Sequence, residues 1–423
     1  MRILCLTSRL PYPPDRGDRL RAFHFIEHLS QEHELTLVSF IADESEREHL
    51  AALEAHCQDV HVIQMSPRLS ALTVAGNIWR REPLQVLYYR LNAMRRLVDE
   101  LTATTPFEAS YVHLFRMAPY VVNHPELYRI VDLTDVISRE IDLSLPYRGF
   151  PSRLVYQLEK PRIARYERWV ARTFEETWLI SKADQQLLAP DCPGANIQVI
   201  SNGVDLDQFH PIGQTPQPNS LIFVGHLRVF HNIDAATYLV RDLLPLVRQQ
   251  VPDCTLQLVG ADPDPLVVQF GRDPAVTVTG YVPDLNEHLN RCAVFVAPLR
   301  FAAGIQNKAL EAMASGRPVV TTTLINQGLG ARPGHDIFIA DDTVTMAQQI
   351  VTLFRDEGLR EQIGQQGRQF VERNYTWNHV VERVRVIEET LTSRREQRLR
   401  IDSRWQDRQR GNAPDFPSGR NVL

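Results

Sequence analysis

Residues 300–323 read RFAAGIQNKALEAMASGRPVVTTT, and the run AVFVA of Ala293–Ala297 stands just before them. Small and apolar residues without alternation suit a strand buried on both faces of a parallel sheet. Pro298 ends that strand, and Gly304 permits a tight turn into a helix expected from about Asn307. At helical spacing Ala309, Leu310, Met313 and Ala314 share one side, and Asn307, Lys308 and Glu311 the other. Gly316 stands where a helix C-terminus takes a left-handed residue, and Pro318 blocks continuation. Val319–Thr323 is the next strand. Strand, glycine loop, helix and strand thus present a helix N-terminus, an ammonium and a carboxylate at the carboxyl end of a parallel sheet, where open α/β sheets take ligands. A helix N-terminus with a lysine beside it suits phosphate. A carboxylate three residues on suits sugar hydroxyls. Read alone, the same pattern also describes a solvated helix face with Glu311 at the surface.

The spacing shifts that balance. G-I-x-N-K-x-L-E-A-M-A-x-G-x-P-V-V resembles the donor-binding segment of the retaining GT-B glycosyltransferases of glycosyltransferase family 4, E-G-x-x-x-P-x-x-E-A-M-A-x-G-x-P-V. It departs at two places: the first family glutamate falls on Ala303 and the proline on Lys308. The resemblance implies that Glu311 holds the nucleotide ribose, with Gly304, Ile305, Gln306 and Asn307 also on the donor side. The first glutamate's contact with the donor sugar has no carboxylate in this segment.

The totals agree with a soluble globular chain. The sequence has 423 residues, enough for two domains, with 43% hydrophobic and 23% charged residues. A net charge of −5 gives no reason to expect nucleic-acid binding. Five cysteines lie without C-x-x-C or zinc spacing. Cys5, Cys254 and Cys292 fall in strand patterns, so core thiols and a reducing, cytoplasmic location are expected. No apolar run is long enough to span a membrane, and MRILCLTSRL has no signal-peptide pattern.

In the first half, Ile3–Thr7 and Leu35–Ile41 read as strands around a helix from about Asp18, with Leu20, Phe23, Ile26 and Leu29 as its buried positions. The first connection, PYPPDRG, is long, and long loops in compact units tend to be functional. PPDRGDRLRAFHF resembles the glycine loop that approaches donor phosphates and acceptor in the same family. That resemblance assigns Gly17 to the donor and Asp18 and Arg19 to the acceptor side. Further strands are expected at Val60–Met65, Ala109–Val112, Tyr128–Val131, Glu176–Ile180 and Ile197–Ile200. His113 and Arg116 lie just past a strand end, where related transferases place a residue facing the reacting sugar. Asp132 and Asp135 end the next strand and could bind acceptor hydroxyls. A helix N-cap is an equal reading of Asp135. Trp79–Leu101 and Arg153–Arg172 are basic and amphipathic. Each reads either as a helix packed on the sheet or as a surface for an anionic membrane or a lipid-linked acceptor.

SNGVDLDQFHP, from Ser201, resembles the family's interdomain signature. GHLRVFHNIDAATYLV resembles the family's diphosphate loop, with Gly225, His226, Arg228 and His231 on the donor side. His226 replaces the family arginine and His231 the lysine, and a neutral histidine is the weaker phosphate ligand. Asn232 is expected to cap the next helix. Tyr281 and Val282, after Gly280, match the turn that packs on the nucleobase. The expected organisation is α/β, of GT-B type: two facing Rossmann-like domains at 1–200 and 201–375, a helix at 376–392 crossing back to the first, and a charged tail at 393–423.

The resemblance extends to bacterial sugar transferases associated with exopolysaccharide and exosortase (PEP-CTERM) systems. It implies transfer of a sugar, with retention, from a nucleotide sugar to a saccharide or lipid-linked acceptor in cell-surface polysaccharide assembly. It implies no cofactor and no required metal. The protein would act in the cytoplasm or at the cytoplasmic face of the inner membrane. Without a metal, charge on the leaving diphosphate must be met by cations and helix N-terminal amides, with Lys308 the foremost candidate. Two rivals stand beside this reading: a GT-B nucleotide-sugar epimerase, and a catalytically silent nucleotide-sugar-binding protein.

Overall fold

The computed structural model describes residues 1–14, 17–302, 304–380, 382 and 384. Among the described residues thirteen strands form two sheets, parallel throughout. The first sheet holds β1 (Arg2–Thr7), β2 (Glu34–Ile41), β3 (Asp59–Gln64), β4 (Ala109–His113), β5 (Tyr128–Thr134), β6 (Glu176–Leu179) and β7 (Ile197–Val199), in the order 3-2-1-4-5-6-7. The second holds β8 (Gln217–Val224), β9 (Thr255–Val259), β10 (Val276–Gly280), β11 (Cys292–Ala297), β12 (Val319–Thr321) and β13 (Phe338–Ile339), in the order 10-9-8-11-12-13. Strand order reverses between β1 and β4 in one sheet and between β8 and β11 in the other. Such switch points open a crevice at the carboxyl ends of the strands.

Side-chain alternation builds the cores. On β1, Leu4 and Leu6 join one apolar cluster with Val38, Phe40 and Val112. Ile3 and Cys5 join the other, with Leu35, Leu37 and Tyr111. Period two sends neighbours to opposite faces, so a strand with no polar position is covered on both sides. The run Cys292–Ala297 is buried at every residue for the same reason. Cys5, Cys254 and Cys292 are fully buried, and all five cysteines are free thiols.

Three sequence expectations are corrected. The helix Gly17–Leu29 buries Arg21, Ala22, Phe25, Ile26, His28 and Leu29, while Leu20 and Phe23 are only partly covered. Its inner stripe is rotated because Arg21 is drawn in by a buried carboxylate on β5. The segment Trp79–Leu101 is not one amphipathic helix. It contains the helix Leu84–Tyr88 and the start of Asn92–Thr104, with Tyr89 and Met94 in the core and Arg90 paired to Glu82. Asn232 does not cap its helix, which begins at Phe230 behind Val229 with no side-chain cap bond.

The chain returns to the first sheet near its end. Val204 N donates to Tyr375 O at 2.7 Å, residues 377–380 are helical, and Val380 and Val384 sit in the core cluster of Ile3, Phe25 and Trp178. A side chain at Gly203 would meet Trp377 at 2.6 Å, so glycine there lets the crossing chain pass. Ala303, the remainder of the expected 376–392 helix and the 393–423 tail lie outside the described residues.

Candidate active site between the two sheets

The two crevices face each other. The helix Asn307–Ala314 follows β11, and the helix Gly17–Leu29 follows β1. Their N-termini meet: a Cβ at Gly17 would lie 3.9 Å from Asn307 Nδ2. Both helices turn the positive ends of their dipoles to the same gap. A polar chain fixes this meeting. Asn202 Nδ2 donates to Asn307 Oδ1 at 2.9 Å, and Arg21 Nη1 donates to Asn202 Oδ1 at 2.9 Å and to Ile200 O at 2.9 Å. Arg21 Nε binds Asp132 Oδ2 at 2.7 Å, and the Tyr111 hydroxyl donates to the same oxygen at 2.9 Å. Arg21 and Asp132 are wholly buried. Hydrogen bonds around a buried ion pair offset its desolvation. Here they leave only Arg21 Nη2 without a partner and tie the second domain's helix to the first domain's core.

Lys308 and Glu311 occupy the outer side of the Asn307–Ala314 helix, as the spacing predicts, with Ala309, Leu310, Met313 and Ala314 buried behind them. Lys308 Nζ donates to Asn232 Oδ1 at 2.5 Å and stands 5.2 Å from the Phe223 ring centre. Asn232, itself buried, donates through Nδ2 to His226 O at 3.0 Å. Glycine makes this packing possible, because a Cβ at Gly225 would come 2.8 Å from Asn232 Cγ. Burial pulls Lys308 down to about 7, against the pull of Glu311. Burial pushes Glu311 up to about 7, against the ammonium of Lys308. His231 is brought down to about 3 by burial and then by Lys308, so its ring is neutral. Its Nδ1 lies 4.0 Å from Glu140 Oε1 of the facing domain.

The remaining donor-side candidates are spread along the same edge. His226 Nε2 lies 3.4 Å from Asp262 Oδ2, and Arg228 is exposed on the loop beyond. Tyr281 is 72% exposed after the left-handed Gly280, while Val282 packs at the rim of the second core. Gly304 has φ +63°, Ile305 is buried, and Gln306 is the extended residue before the helix.

On the facing side, His113 ends β4 and is buried. Burial lowers its pKa to about 4, although the charges of Asp132 and Asp18 oppose this. Arg116 donates through Nε to Ser8 Oγ at 2.9 Å and lies over the Tyr89 ring. Burial would raise Asp18, but Arg9, then His113 and Arg116, hold it below the ordinary carboxylate value. The next residue after His113, Leu114, has φ +70°, and Thr134 at the end of β5 has φ +65°. Left-handed non-glycine residues cost about 1–3 kcal/mol each and gather at functional sites.

Two acceptor-side expectations fail. Asp132 does not face the cleft: Arg21 and Tyr111 hold Oδ2, and Oδ1 accepts Thr134 N at 3.0 Å. Arg19 turns away to Glu46 Oε1 at 2.6 Å. The N-cap reading of Asp135 also fails, because the helix Ile137–Ser144 starts behind Val136 with no side-chain cap bond. Sequence reading missed the bridging role of Asn202, whose Asn-Gly pair signals only a turn. It also missed Arg21, a charge on an otherwise apolar stripe, and an aromatic cluster at the cleft edge. There Tyr147 stacks on Phe301 at 4.8 Å, Arg300 lies over Tyr147, and Arg148 lies between Tyr156 and Phe230. Among the described residues no group of three or more His, Cys, Asp or Glu is placed to hold a metal ion.

Two parallel-strand sheets with their carboxyl ends turned to a shared cleft define the GT-B fold. The crystal structure of Anabaena HepE in complex with UDP superposes with a TM-score of 0.65 at 16% identity, covering 93% of this chain and 100% of that one. Residues 218–356 match the family of glycosyl transferases group 1. A 44.6 kDa protein of the cps region of Klebsiella pneumoniae is 21% identical over 394 residues, 88% of this chain and 96% of its own length. The capsular polysaccharide biosynthesis glycosyltransferase CapM of Staphylococcus aureus is 34% identical over 107 residues, 25% of this chain and 28% of its own. The chain thus has the GT-B fold, and its match to the group 1 glycosyl transferases lies in residues 218–356.

Proposed function

We propose that the protein transfers a sugar from a nucleotide-sugar donor to a saccharide or lipid-linked acceptor, with retention, in capsular or related polysaccharide assembly. The observation that carries this reading is the meeting of the Gly17 and Asn307 helix ends, with Lys308 and Glu311 on the adjoining face. Opposed N-terminal amides and an ammonium suit a diphosphate, and Glu311, one turn on, suits the ribose hydroxyls. The binding of UDP by HepE and the name of CapM support the substrate class.

In this reading the bond between the donor's anomeric carbon and the diphosphate oxygen breaks, and the leaving oxygen keeps the electron pair. Lys308 and the helix ends meet the growing negative charge, where preorganised donors contribute most. The acceptor hydroxyl oxygen attacks the anomeric carbon, and its proton passes to the leaving phosphate. Asp18, His113 and Arg116 line the first-domain side, where the acceptor enters. We further propose peripheral contact with an anionic membrane through the exposed Leu72 and Trp79 and the nearby Arg68, Arg80 and Arg81.

A panel of sugar nucleotides tests the function. The matching donor at 100 times its dissociation constant raises stability by about 2.7 kcal/mol, and nucleotide is released only when acceptor is added. Turnover of donor without acceptor points to the epimerase instead. Binding without release under any acceptor points to a silent binder.

A further inference from the structure

The proposed nucleotide site sets an order along the Asn307–Ala314 helix. Glu311 takes the ribose, and the helix N-terminus, about 6 Å back along the axis, takes the diphosphate. The donor's sugar then falls beyond the N-terminus, at Gly304. The second domain brings no acidic side chain to that point in its sequence, since Ala303, Gly304 and Ile305 precede Gln306.

The first domain does. A Cβ at Gly304 would lie 1.7 Å from Asp135 Oδ1, so that carboxylate rests directly against the glycine across the cleft. Asp135 Oδ1 is buried and accepts no hydrogen bond. Its neighbours explain why it has no local use. Val136 N is bound by Asp184 Oδ1 at 3.4 Å, and Ser138 N by Glu167 Oε1 at 3.1 Å, so the start of the following helix is served by other carboxylates. The left-handed Thr134, just before it, breaks the run of β5. Burial and the charges of Asp184 and Glu140 raise the Asp135 pKa, with Arg21 opposing. A buried oxygen without a donor is costly unless a ligand supplies one.

Resting on the donor-site reading above, we propose that Asp135 accepts a hydrogen bond from a ring hydroxyl of the donor's sugar. The carboxylate that discriminates the sugar is then supplied across the cleft by the first domain, and the Asp135–Gly304 contact must open to admit the sugar.

The test compares a nucleoside diphosphate with its sugar ester by calorimetry: UDP against UDP-glucose, and GDP against GDP-mannose. Wild type binds the sugar nucleotide of one pair more tightly than its diphosphate. Asp135→Ala loses at least tenfold in affinity for that sugar nucleotide and keeps its affinity for the diphosphate, which also shows that the variant is folded. Asp135→Asn, which keeps one acceptor oxygen, falls between. A deoxy-sugar analogue lacking the contacted hydroxyl binds wild type and Asp135→Ala alike. Unchanged sugar-nucleotide affinity in Asp135→Ala, or equal loss for both ligands, overturns the role of Asp135. Failure of wild type to bind either diphosphate overturns the donor site itself.

Discussion

In the proposed transfer, Lys308 is the residue on which the chemistry turns. Its ammonium rests on Asn232 beside the meeting helix ends, while the nearby His231 is neutral. Lys308→Ala should therefore cost about 2–4 kcal/mol of transition-state stabilisation, the range for loss of an oxyanion donor, and should lower turnover more than affinity for the free nucleoside. Single-turnover kinetics would show this. Adding His231→Lys to that variant should restore part of the rate. Glu311→Ala should weaken donor binding by about 1.5–3 kcal/mol, as for a hydrogen bond to a charged group, without unfolding the protein. Burial brings both groups near neutrality. The ammonium is lost as pH rises through about 7, and the carboxylate as pH falls through it. The free-enzyme profile of kcat/KM should thus be a bell near neutral pH. Lys308→Arg should remove its alkaline limb and Glu311→Gln its acid limb. An alkaline limb that survives Lys308→Arg would assign the cation elsewhere.

Two helices show how packing and buried charge set stability. Glu357–Asn374 lies against the Asn307–Ala314 helix through glycine: a Cβ at Gly364 would come 2.3 Å from Gly316 O. Gly316 is itself left-handed at φ +69°, closing the Asn307–Ala314 helix as its sequence suggests. Gly364→Ala should destabilise by about 1–3 kcal/mol, the usual cost of overpacking, measurable by urea unfolding. The start of Ile137–Ser144 is held by Glu167, which accepts Ser138 N and Oγ. Burial raises Glu167 to about 7, although Ser138 opposes this. The folded protein then holds a proton that the unfolded chain releases from about pH 4.5. This group's contribution is present at low pH and is lost as pH rises toward 7. Glu167→Gln should flatten the fall in stability between pH 5 and 7 by about 1–3 kcal/mol.

At the scale of the molecule, the sheets are joined both through the cleft and around it. Trp377, Val380 and Val384 return to the first core, so Val380→Asp should destabilise the first domain while leaving the second sheet's packing intact. Loss of first-domain hydrogen-exchange protection ahead of the second would show it. Leu72 and Trp79 are exposed apolar side chains close in sequence to Arg80 and Arg81, in a chain of net charge −5. Sedimentation with phosphatidylglycerol vesicles should be salt-sensitive. Leu72→Ser with Trp79→Ser should reduce it at least several-fold, and no binding by the wild type would remove the membrane proposal.

Local rules in the sequence determined much of this protein. The unbroken apolar runs required strands buried on both faces, the 3.6-residue spacing placed Lys308 and Glu311 opposite the buried side of their helix, and Gly316 with Pro318 ended it. Those features depend on residues a few positions apart. Tertiary structure alone decided which charges face the cleft. Asp132 and Asp135 stand three residues apart at the end of one strand, yet Arg21 takes the first into the core and Gly304 receives the second across the gap. Arg19 and Arg21 likewise share a helix and part company, one to Glu46 and one to Asp132. Their partners lie tens to more than a hundred residues away, and pairings across such distances follow from the closing of two sheets on one another rather than from any spacing along the chain.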